Sequence, residues 1–98
     1  KKMNLLPAIN TEFHGLLYGL SKSPKLISMI NGLRYQIYRY REMILKESKF
    51  ASTSNLDHKK MLKHIRKRDA EGAERLVREH ILRGQEMVLQ EYDRQRLE

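Results

Sequence analysis

The chain has 98 residues, 40 % of them hydrophobic and 33 % charged, a balance that argues against a disordered or membrane-embedded polypeptide and leaves room for one core. Cysteine is absent, which excludes disulfides and thiolate metal sites; any metal must be held by imidazole, carboxylate, amide or water. Twenty Lys and Arg against twelve Asp and Glu give a net charge of +8, which suits an acidic ligand or a polyanion but as often serves solubility.

No apolar run approaches the roughly 20 residues needed to cross a bilayer, and no signal segment opens the chain, so the cytoplasm is the expected compartment. The opening Lys1-Lys2-Met3-Asn4-Leu5-Leu6 has no helix-start signal and reads as the tail of something that begins earlier. Pro7 suits the first turn of a helix, where its missing N–H costs nothing. Ile9, Phe13, Leu16, Leu17 and Leu20 then recur at three and four, which predicts a helix from about Pro7 to Leu20.

Ser21-Lys22-Ser23-Pro24 punctuates the sequence, with Ser23 as N-cap and Pro24 at the first helical position. Leu26, Ile30, Leu33, Ile37 and Ile44 keep one face apolar, predicting a single long helix from about Pro24 to Glu47. The polar stretch from Ser48 to Asn55 is rich in cap-forming residues and is expected to be a loop ending in an N-cap. A third helix is predicted from about Leu56 to Lys67, with Met61, Leu62 and Ile65 inward. Asp69 then reads as the N-cap of a fourth, running to about Gln95 with Ala73, Leu76, Val77, Ile81, Met87 and Val88 on one side. No stretch alternates with period two and no internal repeat appears. The expected class is all-α, an antiparallel helical bundle of about four helices in one domain spanning the chain.

Rotating each helix at about 100° per residue shows which polar side chains share the apolar side. Lys59, Lys60, Lys63, Arg66 and Lys67 gather opposite Met61, Leu62 and Ile65 and read most simply as a solvated face. His64 falls to the side of the apolar sector, as a surface histidine would. His58 falls inside the sector, and His80 falls between Leu76, Val77 and Met87. His14 lies one turn from Leu17 and one turn beyond Asn10, so Asn10 and His14 share a line. A single inward histidine is more often a hydrogen-bonded core residue than a ligand, but three on separate helices also fit a shared site. Neutral imidazole binds divalent transition metals, and three of them leave positions open for water or a ligand's carboxylate. Asn10 would add an amide oxygen, a weaker donor than a carboxylate.

Arg34 and Arg41, seven residues apart, fall at the edge of the apolar sector beside Ile30 and Ile37. Their stems can pack on the core while the heads reach water or a carboxylate elsewhere; alternatively they clamp an anionic ligand against the metal.

Asn-Thr-Glu-Phe-His (10 to 14), Ser-Pro-Lys-Leu (23 to 26), Leu-Arg-Tyr-Gln-Ile-Tyr-Arg-Tyr-Arg (33 to 41), Asp-His-Lys-Lys-Met-Leu (57 to 62) and Arg-Asp-Ala-Glu-Gly-Ala-Glu-Arg-Leu-Val-Arg-Glu-His-Ile (68 to 81) follow in this order. The order resembles the C-terminal effector domain, FCD, of GntR-type bacterial transcription regulators of the FadR-like subgroup, over nearly the whole chain. The resemblance implies an all-helical bundle holding a divalent metal with one Asp and three His, and an organic acid effector bound at that metal. His14, His58 and His80 fall on the three His positions, Asn10 stands where the Asp usually is, and Arg34 falls on a commonly basic position as an effector contact. It further implies a homodimer, and DNA reading by a winged helix-turn-helix domain that this chain lacks. The helices that normally precede the first metal helix are also missing, so a truncated regulator is the expectation.

The expected function is therefore a non-enzymatic, ligand-sensing domain of a cytoplasmic regulator, with zinc or nickel first among the candidate ions and a small carboxylate as effector. A metal-dependent enzyme would need a general base, and no inward Glu, Tyr or Ser stands out. A nucleic-acid-binding module would use the Lys59 to Arg68 face, where few aromatics are available to stack on bases.

Overall fold

The computed structural model describes residues 5–97, so the reading of Lys1 to Asn4 lies outside the described residues. Five helices and no strand are present among them: α1 (Leu6–Gly19), α2 (Pro24–Asn31), α3 (Arg34–Ile44), α4 (Ser48–Arg66) and α5 (Ala70–Leu97). The class is all-α, that of a helical bundle, as the periodicity predicts. The chain falls into two compact units, Lys1–Lys46 with α1 to α3 and Glu47–Glu98 with α4 and α5.

In the first unit α1 packs chiefly against α3 and also touches α2. Ser23 caps α2 by accepting the Leu26 N–H at 3.1 Å, with Pro24 following at the first helical position. The single helix predicted from about Pro24 to Glu47 is in fact two, and this corrects the sequence expectation. Asn31 and Gly32 are both poor helix formers. There the ladder tightens: the Leu33 N–H closes on the Ile30 carbonyl at 2.9 Å, a three-residue bond. Leu33 itself leaves the helical basin (φ −105°, ψ 4°), and α3 restarts when the Ile37 N–H reaches the Leu33 carbonyl at 3.0 Å.

The second unit carries a second correction. The stretch from Ser48 to Asn55, expected as a loop, is the first two turns of α4. Its cap is Glu47 rather than Asn55: the Glu47 carboxylate accepts the N–H groups of Lys49 (3.1 Å) and Phe50 (2.9 Å). The hydroxyls that argue for a loop are absorbed by the helix, since Thr53 Oγ1 donates back to the Lys49 carbonyl at 3.1 Å and Ser54 is buried. Ser54, Asp57, His58 and Met61 form one inward stripe at spacings of three and four, ending on Met61, whose side chain is fully buried. Packing of that stripe outweighs the local preference of Ser and Thr for turns.

A three-residue connection turns α4 into α5. The Asp69 N–H bonds the His64 carbonyl at 2.9 Å and the Arg68 N–H bonds the Ile65 carbonyl at 3.0 Å, the paired bonds of a Schellman closure. Arg68 occupies the left-handed position (φ 57°) that usually goes to glycine. Asp69 then caps α5, as the sequence suggests, with its carboxylate accepting the Gly72 N–H at 3.0 Å and contacting His64 Nδ1 at 3.0 Å.

Because a left-handed conformation costs an L side chain about 1–2 kcal/mol that glycine avoids, Arg68→Gly is expected to stabilise the fold by about 0.5–1 kcal/mol after glycine's own entropy loss of about 0.5–1 kcal/mol. Thermal unfolding followed by circular dichroism should show a rise of a few degrees. A lower midpoint would mean that the Arg68 side chain contributes more than its backbone costs.

Candidate functional site

Three of the predicted site residues lie on buried surfaces: His14 on α1, His58 on α4 and His80 on α5 are each less than a tenth exposed. In the α4–α5 unit His58 and His80 face one another, ring centroids 4.9 Å apart and planes at 62°, and each offers a ring nitrogen within 4.8 Å of one on the other. His80 Nδ1 lies 3.0 Å from Asp57 Oδ2, and Arg83 Nη2 donates to the same oxygen at 2.5 Å. Burial pushes the Asp57 carboxyl upward, but the hydrogen bonds from His80 and Arg83 outweigh it and hold the group below its ordinary value. With Asp57 ionised, Nδ1 of His80 carries the proton and donates, which leaves Nε2 as the nitrogen with a lone pair. This is the outer-shell arrangement that orients imidazoles toward metals.

In the first unit Asn10 is half-buried one turn before His14, so the two share a line along α1. The His14 ring meets the edge of Phe13 (centroids 5.6 Å) and lies 5.8 Å from the Tyr18 ring. Arg34 and Arg41 share a groove of about 820 Å³ with Thr11, Gly15 and Tyr18 of α1 and Tyr38 of α3. Arg41 Nη1 donates to Thr11 Oγ1 at 3.2 Å, and Tyr18 lines the groove beside it. Burial lowers the Arg41 pKa while the Tyr18 contact opposes the shift; an arginine keeps its charge regardless.

Within the second unit the buried His58 and His80 bring two imidazoles together where a metal ion could be held. The donors fit a borderline divalent transition metal: neutral nitrogens, no thiolate, and on His80 a carboxylate that fixes the ring. His64, by contrast, is partly exposed and serves the α4–α5 turn through Asp69. Lys59, Lys60, Lys63, Arg66 and Lys67 are all exposed. No helix among the described residues is long and apolar enough to cross a membrane.

Residues 3–83 match the family model of the FCD domain. The chain belongs to the FCD family. FCD is the C-terminal effector domain of GntR-family regulators, a regulatory rather than a catalytic module. No curated protein and no solved structure matches the chain.

In this FCD domain sequence reasoning missed Asp57, which orients His80, and Thr11 and Tyr18, which adjoin Arg41. Asp57 had a signal: it stands three residues after Ser54 and four before Met61, on the inward stripe. Placing a loop over Ser48 to Asn55 hid the first part of that stripe. Thr11 and Tyr18 carry no such signal, because what they do depends on α3.

Asp57→Ala strips the acceptor from a buried Nδ1–H and is expected to cost about 1–3 kcal/mol, read as a lower urea midpoint at unchanged slope. The sign of the pH dependence follows from the depressed folded-state pKa. The carboxylate's contribution is present above its unfolded value of about 3.9 and is lost as pH falls through the lower folded value. Wild type should therefore lose stability in that acid window more steeply than Asp57→Ala. Parallel acid profiles for the two would remove Asp57 from this role.

Proposed function

We propose that this FCD domain is the ligand-sensing module of a GntR-type transcription regulator. It binds a small organic acid at a divalent metal, zinc or nickel first among the candidates, held by His14, His58 and His80 with Asn10 as a weaker fourth donor. Arg34 and Arg41 are the proposed anion contacts. A bound divalent ion supplies a Lewis acid with positions left open for a carboxylate oxygen. The chain's own residues set the stage: Asp57 fixes the His80 ring by accepting from Nδ1, and burial keeps water from competing for the imidazoles.

A ligand of such a site regulates only through unequal affinity for two arrangements of the protein, and that difference is what would reach paired DNA-reading domains in a cytoplasmic homodimer. Residues 1–98 act in this reading as one effector-binding domain, with DNA contacted by a separate winged helix-turn-helix domain. The observation that carries the reading is the pair of buried histidines, His58 and His80, facing one another in a chain of the FCD family, one already bonded to a buried carboxylate.

Elemental mass spectrometry of the purified, untagged chain tests it. About one transition ion per chain is expected, lost in His58→Ala and His80→Ala and retained in His64→Ala. Loss of metal also removes the stabilisation that binding lends the folded state, so the first two variants should melt lower. Asn10→Asp is expected to tighten the metal by supplying a charged donor; unchanged affinity would take Asn10 out of the set. A chain that stays empty after incubation with zinc or nickel would overturn the metal reading.

A further inference from the structure

We propose that the exposed side of α4 is a sequence-independent contact surface for the phosphate backbone of duplex DNA. The inference rests on the second unit alone, and neither the metal nor the effector enters it. Lys59, Lys60, Lys63 and Arg66 on α4, with Lys67 at its C-cap, are all exposed. At about 100° per residue the five fall within roughly a third of the helix circumference, opposite the buried Met61. They make one stripe that rises about 12 Å along the helix axis.

No acid answers this stripe. On α5 the surface arginines show the usual compensation, Arg78 pairing with Glu74 and Arg94 with Glu91. The acidic residue within α4 is Asp57, which is buried and bonded to His80 and Arg83 instead. None of the five cations forms an ion pair among the described residues. Lys59 and Lys63, and again Lys63 and Lys67, are like charges four residues apart, a spacing that destabilises a helix. The helix dipole favours Lys63 and Arg66 in the last turn, but it fades before Lys59 and Lys60. A polyanion turns this repulsion into attraction and releases the counterions that screen it.

The chemistry of the stripe selects among polyanions. Over about 12 Å of its axis a duplex presents roughly seven phosphate charges, a density that matches the stripe. Lysines predominate, and a flexible point charge follows a uniform backbone better than it grips one planar group. Single strands need aromatic platforms for their bases, and the one aromatic residue of α4 outside its histidines, Phe50, is half-buried away from the stripe. A lipid surface needs an apolar face to insert beside the cations. Here the Met61 side of α4 is buried in the packing with α5, and within the arc of the stripe Leu56 is the lone apolar side chain.

Fluorescence anisotropy of a short labelled duplex of mixed sequence, titrated with the full 98-residue chain over a range of salt, tests the proposal. Saturable binding is expected at low salt, equal for a second duplex of unrelated sequence. Engagement of all five cations predicts a slope of log K against log salt of about −4 to −5, or roughly a five-hundredfold loss between about 50 and 200 mM. The triple variant Lys59→Gln, Lys63→Gln, Lys67→Gln should bring the slope to about −2. Because these side chains are exposed and repel one another, its thermal midpoint should be equal or higher. The control triple Lys22→Gln, Lys25→Gln, Lys46→Gln removes the same charge from the first unit and should leave the slope unchanged. Equal losses in the two triples would mean net charge alone, and would overturn the α4 surface. So would no saturable binding at low salt, a strong preference between the two duplexes, or tighter binding to oligothymidine, phosphatidylserine vesicles or poly-glutamate than to duplex. None of these readouts depends on metal content, so this proposal and the metal reading can each fail alone.

Discussion

Burying a charge is the constraint that explains most of what is particular about this chain. In the α4–α5 unit the charge is Asp57, and its surroundings answer it in full: the His80 imidazole and the Arg83 guanidinium converge on one carboxylate oxygen. Those two bonds tie α4 to α5 at the level where His58 also faces His80, so the histidine that satisfies the buried acid is also the one packed against His58. The Glu47 cap, the absorbed hydroxyls of Thr53 and Ser54 and the Schellman closure at Arg68 all bring the inward stripe of α4 into position opposite α5.

The α1–α3 unit meets the same constraint differently. Arg41 is half-buried, yet its hydrogen-bond partner there is the Thr11 hydroxyl, which can orient a guanidinium but cannot neutralise it. One unit thus places a carboxylate where it needs a cation and finds two nitrogen groups; the other places a cation against neutral oxygen and leaves a groove beside it.

Family membership and geometry contribute different things. The FCD match over residues 3–83 says what kind of module this is. The residues of this chain add the specifics: three buried imidazoles, and an aspartate bonded to one of them that the histidine pattern alone does not reveal.

The sequence by itself determined the helical class, the caps at Ser23 and Asp69, and the inward faces of His14, His58 and His80. Those features are set by contacts within a few residues, where the 3.6-residue period and capping chemistry operate. Only the tertiary structure decided that Ser48 to Asn55 continues as α4, because a stripe buried against α5 outweighs the turn preference of its hydroxyl residues. The break at Gly32 and Leu33 had a cue in Asn31-Gly32, yet an unbroken apolar period from Leu26 to Ile44 masked it. Asp57 meeting His80 and Arg83, and Arg41 meeting Thr11 and Tyr18, join residues 23 to 30 positions apart. Such pairings depend on how one helix lies on another, which no local period encodes.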